Sequence, residues 1–309
     1  MFNFRKTVYD KGFLKADGNH SIYYQQIGNP KGTPVLMFHG GPGGRSKEEF
    51  AKVFDLKKFR VIQFDQRGCG KSQYQDLLKD NTTNDLLDDA IKLWEHLNIG
   101  DNAVITGASW GSTLALLFAE KYPQKTLSLV LSLIFLARDS DLAWLRKESR
   151  RFYPDIYDEI AKNAPTDNFF DYYTELLNSS DISLQNTAMK YLGCYEGILG
   201  QLNPSLKEGM FEEKRIKNSR IFFHYERHNY FMEDDYIIKN CGRLKNIPTI
   251  IFHNRMDFCC PVYQAWDLYQ ALPNANLEII PDYGHGSKMQ LNLMKSKVNA
   301  FLKCYQPIK

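Results

Sequence analysis

The stretch Val104-Ile-Thr-Gly107-Ala-Ser109-Trp110-Gly111-Ser-Thr113-Leu-Ala-Leu-Leu-Phe-Ala-Glu120 decides how the rest of the chain is read. It begins as a short β-rich apolar run, passes through Gly-x-Ser-x-Gly and opens into a run of good helix formers. That order is strand, sharp turn, helix. A turn this tight needs small residues on both sides of the serine. It lifts the Ser109 hydroxyl out of the fold and sets it at a helix N-terminus, where developing negative charge is favoured. The five-residue pattern alone is weak, since a glycine-rich turn with a bystander serine also fits it; the flanking strand and helix make it specific.

Working outward, apolar strand-like runs alternate with helical patterns. Ser21 to Gln26 reads as an early antiparallel strand, followed by the turn Gly28 to Gly32. Pro34 to Phe38 and Arg60 to Phe64 read as strands, the first continuously apolar, as expected for one covered on both faces. Between them lie the cluster His39-Gly-Gly41-Pro-Gly-Gly44 and a short helix near Glu48 to Phe54. The glycine cluster leaves backbone N–H groups free to face a ligand. Asn84 to Leu97 carries apolar residues at helical spacing. Leu127 to Phe135 is a further buried strand. From Ala137 to Cys241 the chain turns charged, aromatic and helical in pattern. Strand patterns return at Ile247 to His253 and Leu277 to Ile280, each followed by a helix, near Val262 to Leu272 and Lys288 to Leu302. This predicts an α/β fold with a mostly parallel sheet, ligands beyond the strand C-terminal ends, a core built from residues 1–136 and 246–309, and an inserted helical cap over 137–245.

Composition bounds the function classes. The 309 residues are 43% hydrophobic and 24% charged, enough for one large α/β domain with an insertion. A net charge of +3 without blocks of like charge does not indicate nucleic-acid binding. No segment approaches the roughly 18 apolar residues of a membrane span. Aromatics reach 14%, which suits either core or an aromatic-lined pocket. Six cysteines, at 69, 194, 241, 259, 260 and 304, form no metal-type Cys-x-x-Cys pairs and read as reduced thiols. Met1 to Thr7 lacks the apolar stretch of a signal peptide, so the expected location is the cytoplasm. No metal and no cofactor is implied, and the oligomeric state is open.

Three reactive residues fall just after three strands, in the order Ser109, Asp257, His285. This is the chain order of a triad in α/β hydrolases. Serine needs a base to take its proton, imidazole does this near neutral pH, and a carboxylate must hold the imidazole tautomer. Asp282, on the histidine's own loop, is the rival acid, and Asp257 is preferred. His39 is a rival base whose expected partner is the backbone of the glycine turn. The remaining histidines receive no catalytic role. The backbone N–H groups of Trp110 and Gly41 are the candidate oxyanion donors.

The chain closely resembles the proline iminopeptidases, a branch of the α/β hydrolases. The resemblance rests on His39-Gly-Gly-Pro-Gly-Gly44, Asp65-Gln-Arg-Gly-Cys-Gly-Lys-Ser72, Gly107-Ala-Ser-Trp-Gly-Ser-Thr-Leu-Ala115, Asp257 with Cys260-Pro261, and Gly284-His285. It implies an α/β-hydrolase fold with a helical cap, and release of an N-terminal residue, typically proline, from small peptides or aminoacyl amides. It also implies cap glutamates that bind the free amine. Leu192-Gly-Cys-Tyr195-Glu196-Gly197 matches a Trp-x-x-Trp-Glu-Gly pattern with both tryptophans replaced. Glu226-Arg-His-Asn-Tyr230-Phe231 matches a Glu-Asn-His-Tyr-Phe pattern with one extra residue. Glu196, Glu226, Tyr195 and Tyr230 are thus the substrate-binding candidates, and Asp65 and Arg67 are expected to pair beneath the site. Cys69 and Cys260, in the matching loops, have packing as their plain role. A carboxylesterase with the same triad and no amine requirement is the alternative. A non-catalytic binding protein on this scaffold is disfavoured by the complete triad, and a dehalogenase or epoxide hydrolase by serine at the nucleophile position.

Overall fold

Adjacent residues of a strand face opposite sides of its sheet, so a strand buried on both sides needs apolar residues at consecutive positions. The central strands meet that requirement: Val35, Val61 and Val104 enter one apolar cluster, while their neighbours Leu36, Ile62 and Ile105 enter another on the opposite face. The computed structural model describes residues 8–192, 195, 199 and 213–305. Nine strands form one sheet: β1 (Val8–Lys15), β2 (His20–Gly28), β3 (Thr33–Phe38), β4 (Phe59–Phe64), β5 (Gln73–Tyr74), β6 (Ala103–Ser109), β7 (Thr126–Ile134), β8 (Thr249–Met256) and β9 (Ala275–Tyr283). The order is β1-β2-β4-β3-β6-β7-β8-β9, with β5 paired to β2. The pairs β4-β3, β3-β6, β6-β7, β7-β8 and β8-β9 are parallel, while the β1-β2, β2-β4 and β2-β5 pairs are antiparallel.

Parallel pairing brings the C-terminal ends of β3, β6, β8 and β9 to one edge. The glycine turn, Ser109, Asp257 and His285 all follow there. One face of the sheet is covered by Ala51, Val53 and Phe54 together with Val298, Phe301 and Leu302 of the C-terminal helix Lys288–Lys303. The other is covered by helices Thr83–His96 and Trp110–Lys121. The first of these starts at a capping box in which Thr82 accepts the Asp85 N–H and Asp85 accepts the Thr82 N–H. Among the described residues the segment between β7 and β8 holds only helices, Asp139–Arg146 through Glu213–Arg227 to Tyr236–Asn240, and no strand. Its Leu142, Ile160, Tyr173 and Ile216 join the same apolar cluster as the helix-covered face.

Two strands differ from the sequence reading. β1 has no counterpart there: Val8–Lys15 carries Asp10, Lys11 and Lys15, and an edge strand exposed at every second residue tolerates such charges. β5 is too short to leave a pattern.

Candidate active site

Ser109 closes β6 and opens the helix Trp110–Lys121, with φ 57° and ψ −132°. A non-glycine residue at positive φ costs about 1–3 kcal/mol and persists only where its surroundings impose it. Here the flanking glycines make room for the close approach of backbone that accompanies it. A Cβ on Gly107 would stand 1.9 Å from the Gly111 carbonyl oxygen, and one on Gly111 2.3 Å from the Phe38 oxygen. The Ser112 hydroxyl donates to the Ser109 carbonyl at 2.7 Å and accepts from the Phe135 N–H at 3.2 Å, tying the turn to the end of β7. The Ser109 side chain makes no capping bond to the helix it starts.

Asp257 is buried directly after β8, and its oxygens divide the work. Oδ1 accepts the N–H groups of Cys259 and Cys260 at 3.0 and 2.9 Å. Oδ2 stands 2.8 Å from Nδ1 of His285. The Asn254 amide donates to the Gly284 carbonyl at 2.9 Å and so locks the histidine loop to β8. Among the described residues Asp282 accepts its neighbour's N–H alone, from Tyr283 at 2.9 Å; the carboxylate bonded to His285 is that of Asp257. His253, fully buried, lies 3.8 Å from Asp257 Oδ2. Its Nδ1 accepts from the Ile134 N–H at 3.0 Å, so Nε2 carries the proton and donates to the Cys260 carbonyl at 2.8 Å. Burial holds its pKa below the ordinary imidazole value, which keeps it neutral beside the acid. The sequence reading gave His253 no role, although a histidine ending the apolar run of β8 was the available signal.

The glycine turn abuts the serine: a Cβ on Gly40 would lie 3.4 Å from Ser109 Cβ and 3.9 Å from its Oγ. Gly41 has φ 134°, outside ordinary L-residue space. His39 serves this turn as expected. Its Nε2 accepts the Gln66 N–H at 3.0 Å, so Nδ1 donates to the Gly40 carbonyl at 2.8 Å, and burial lowers its pKa. Gln66, which the sequence reading passed over, accepts the Trp110 indole N–H at 3.0 Å and donates to the His39 carbonyl at 2.8 Å. One side chain thus ties both candidate oxyanion segments together.

The expected Asp65–Arg67 pair does not form. Asp65 instead accepts the N–H groups of Ser46 and Lys71, each at 2.8 Å. Arg67 forks onto Asp89 with two bonds of 2.7 Å and meets Asp17 at 2.7 Å. The turn through Gly68 and Gly70, both at positive φ, folds Lys71 back onto Asp65 and leaves Arg67 pointing at the helix Thr83–His96. Cys69 is buried in this turn, which pushes its thiol up to about 12. Cys260 is buried as well, and the Cys259, Cys260 and His285 donor atoms lie within 4.8 Å of one another.

The substrate-binding candidates divide. Tyr230, fully buried at φ 53°, sets its ring 5.3 Å from Trp110 and 4.9 Å from Phe135. The residue before Glu226, Tyr225, also meets the Trp110 ring, at 5.3 Å. Glu226 is 4% exposed and its Oε1 is held by Arg146 Nε at 2.5 Å, a partner 80 residues away that no local pattern announces. Tyr195 packs against Phe170 inside the helical segment and shares a 2.5 Å hydrogen bond with the Ser149 hydroxyl. Glu196 lies outside the described residues.

A parallel sheet with a strained serine after one strand and an Asp–His pair after two later ones defines an α/β hydrolase, and the family model for the alpha/beta hydrolase fold matches residues 33–290. Solved structures agree on the fold. A proline iminopeptidase-related protein from Thermus thermophilus superposes with a TM-score of 0.62 at 20% identity, covering 96% of this chain and 98% of that one. A putative lipase from Acinetobacter baumannii gives 0.64 at 20% identity, covering 97% and 92%. Sequence relatives narrow the assignment. A probable proline iminopeptidase of Leptolyngbya boryana is 38% identical over 300 residues, spanning 94% of this chain and 93% of its own. The proline iminopeptidase of Arabidopsis thaliana is 37% identical over 309 residues, spanning 95% and 81%. The chain belongs to the proline iminopeptidase family.

Proposed function

We propose that this protein is a serine aminopeptidase that releases an N-terminal residue, proline in the first instance, from small peptides or aminoacyl amides. The observation that carries the reading is the 2.8 Å bond between Asp257 and His285 on the strand edge from which Ser109 projects. Ser109 attacks the scissile carbonyl while His285 takes its proton, and Asp257 holds the imidazole with Nε2 toward the serine. The oxyanion is met by the N–H groups of Trp110 and Gly41, each such donor being worth about 3 kcal/mol in the transition state. His285 then passes the proton to the leaving amine, and water hydrolyses the acyl-enzyme by the reverse sequence.

Residues 137–245 act as the cap over this edge in our reading, and Glu226, with Glu196, receives the substrate ammonium. A buried carboxylate discriminates strongly, because a blocked amine leaves it unpaired. Tyr230 shapes the pocket beside Trp110, and Tyr195 supports the cap from within. No helix of the described residues is long and apolar enough to cross a membrane. Cys69 and Cys241 are buried thiols, which suits the reducing cytoplasm.

A release assay on prolyl-2-naphthylamide tests the reading: Ser109→Ala reduces turnover to background, and full activity in that variant overturns it. One observation favours a second reading, an esterase with no amine requirement, because Arg146 already neutralises Glu226. Equal turnover of prolyl and N-acetyl-prolyl amides decides for that reading.

A further inference from the structure

The ion pair of Glu226 and Arg146 is asymmetric. The glutamate side chain is 5% exposed and the arginine side chain 39%. Arg146 clasps the residue twice, Nε to the carboxylate at 2.5 Å and Nη2 to the backbone carbonyl at 3.1 Å. Its Nη1 makes no hydrogen bond to any described residue. Chain neighbours of the pair touch both halves of the candidate active site. Arg146 ends the helix Asp139–Arg146, whose Trp144 indole donates to the carbonyl of Phe258, the residue after Asp257. Glu226 is flanked by Tyr225 and followed by Tyr230, whose rings both lie against Trp110, the residue after Ser109.

We propose that Arg146 is a displaceable counter-ion of Glu226, and that the site therefore prefers substrates carrying a free α-amine together with a carboxylate, that is dipeptides, over amides of the same residues. The inference rests on the aminopeptidase reading and on Glu226 as the amine acceptor. Charge balance sets the preference. At rest the buried carboxylate has one cation. When the substrate ammonium takes Glu226, two cations face one anion. Arg146, the more exposed partner, is the one that swings away, and it does so at a cost unless it meets a new anion. Asp171, on the helix Phe169–Asn178, also attracts Arg146, but it is exposed to water and its pull is screened. A carboxylate on the leaving side of the substrate meets the guanidinium at its unused Nη1 edge, and every charge is again paired. An amide offers no such partner, so the resting ion pair competes with it directly. The same pair that spares the empty enzyme an uncompensated buried charge thus sets which peptides enter.

Steady-state kinetics on Pro-Ala and Pro-Ala-NH2 test this, with organophosphonate labelling of Ser109 counting intact sites in each preparation. The wild type shows a KM for the dipeptide about 3- to 10-fold below that for its amide, the range of a partly exposed charge contact. In Arg146→Met the two KM values converge to within about twofold, and the amide value falls because its competitor is gone. If Arg146→Met does not fold, Arg146→Lys replaces it: a single-point donor keeps the preference but loosens the clasp, and again lowers the amide KM. Equal KM values in the wild type, or parallel shifts for both substrates in the variants, overturn the inference. Glu226→Gln separates it from the reading beneath it. If that variant leaves both KM values unchanged, Glu226 is not the amine acceptor. If it raises both while the dipeptide preference survives Arg146→Met, only the counter-ion role fails.

Discussion

Ser109 holds a backbone conformation that serine does not choose, and the glycines that make room for it are readable in the sequence. Gly107 and Gly111 occupy positions where a Cβ overlaps a carbonyl oxygen, which is why the pattern Gly-x-Ser-x-Gly carries structural meaning at all. Asp257 and His285 were legible for a different reason, each being a reactive residue just past an apolar run. At this scale the firmest expectation concerns Asp257→Asn. The side chain keeps its shape, but its amide donates where the carboxylate accepted and favours the wrong imidazole tautomer. The expected loss is about 10⁴-fold in kcat, with little change in thermal stability, read by amide hydrolysis beside a melting curve. What the sequence did not disclose are partnerships between distant residues. Gln66 bridges His39 and Trp110, and Arg146 holds Glu226, and neither spacing follows from a local period. The Asp65–Arg67 pairing failed on the same ground, since two glycines between Arg67 and Lys71 turn the chain and reassign both side chains.

At the scale of elements, apolar runs located the strands from β2 to β9, the two-residue β5 apart, to within about three residues, because strands covered on both faces leave little choice of composition. The edge strand β1 escaped because solvent accepts its charges, and the succession Asn229, Tyr230 and Phe231, all at φ near 50°, has no glycine to announce it. Two substitutions probe how the elements are joined. Gly111→Ala forces the start of helix Trp110–Lys121 off the end of β3, since its Cβ meets backbone that cannot rotate away. The expected cost is about 3 kcal/mol or more, visible as a lower urea midpoint together with lost turnover. Arg67→Ala strips the buried Asp89 of its fork and leaves an uncompensated charge between the Asp65–Ser72 turn and helix Thr83–His96. A loss of about 3–5 kcal/mol is expected, and Asp89→Asn in the same background should recover part of it.

For the molecule as a whole, the change of composition after Ala137 marked a helical insertion, yet its apolar side chains merge with those of the sheet in one cluster, which no composition count foretells. Against that cluster the helix after Ser109 carries Glu120 in its last turn, 2% exposed, with neither carboxylate oxygen hydrogen-bonded to a described residue. Desolvation pushes its pKa from 4.5 up to about 8, with Arg243 opposing weakly. Between those two values the unfolded chain has released the proton and the folded chain retains it, so the unfolded state binds fewer protons and stability falls as pH rises. The decline is at most about 1.4 kcal/mol per pH unit and levels off above about 8. Urea unfolding from pH 5 to 9 should show this slope in the wild type and a flatter profile in Glu120→Gln; identical profiles would remove Glu120 as its source.

The order in which the strands enter the sheet also bears on when the molecule becomes active. β6, with its serine, lies in the sheet interior, whereas His285 follows β9 at the far edge. During synthesis Ser109, the glycine turn and the helices between β7 and β8 leave the ribosome before His285 does. On the proposed triad, a chain that has not yet reached His285 lacks the group that takes the Ser109 proton. The Asp257–His285 pair can therefore form only once β9 is paired with β8 at the far side of the sheet.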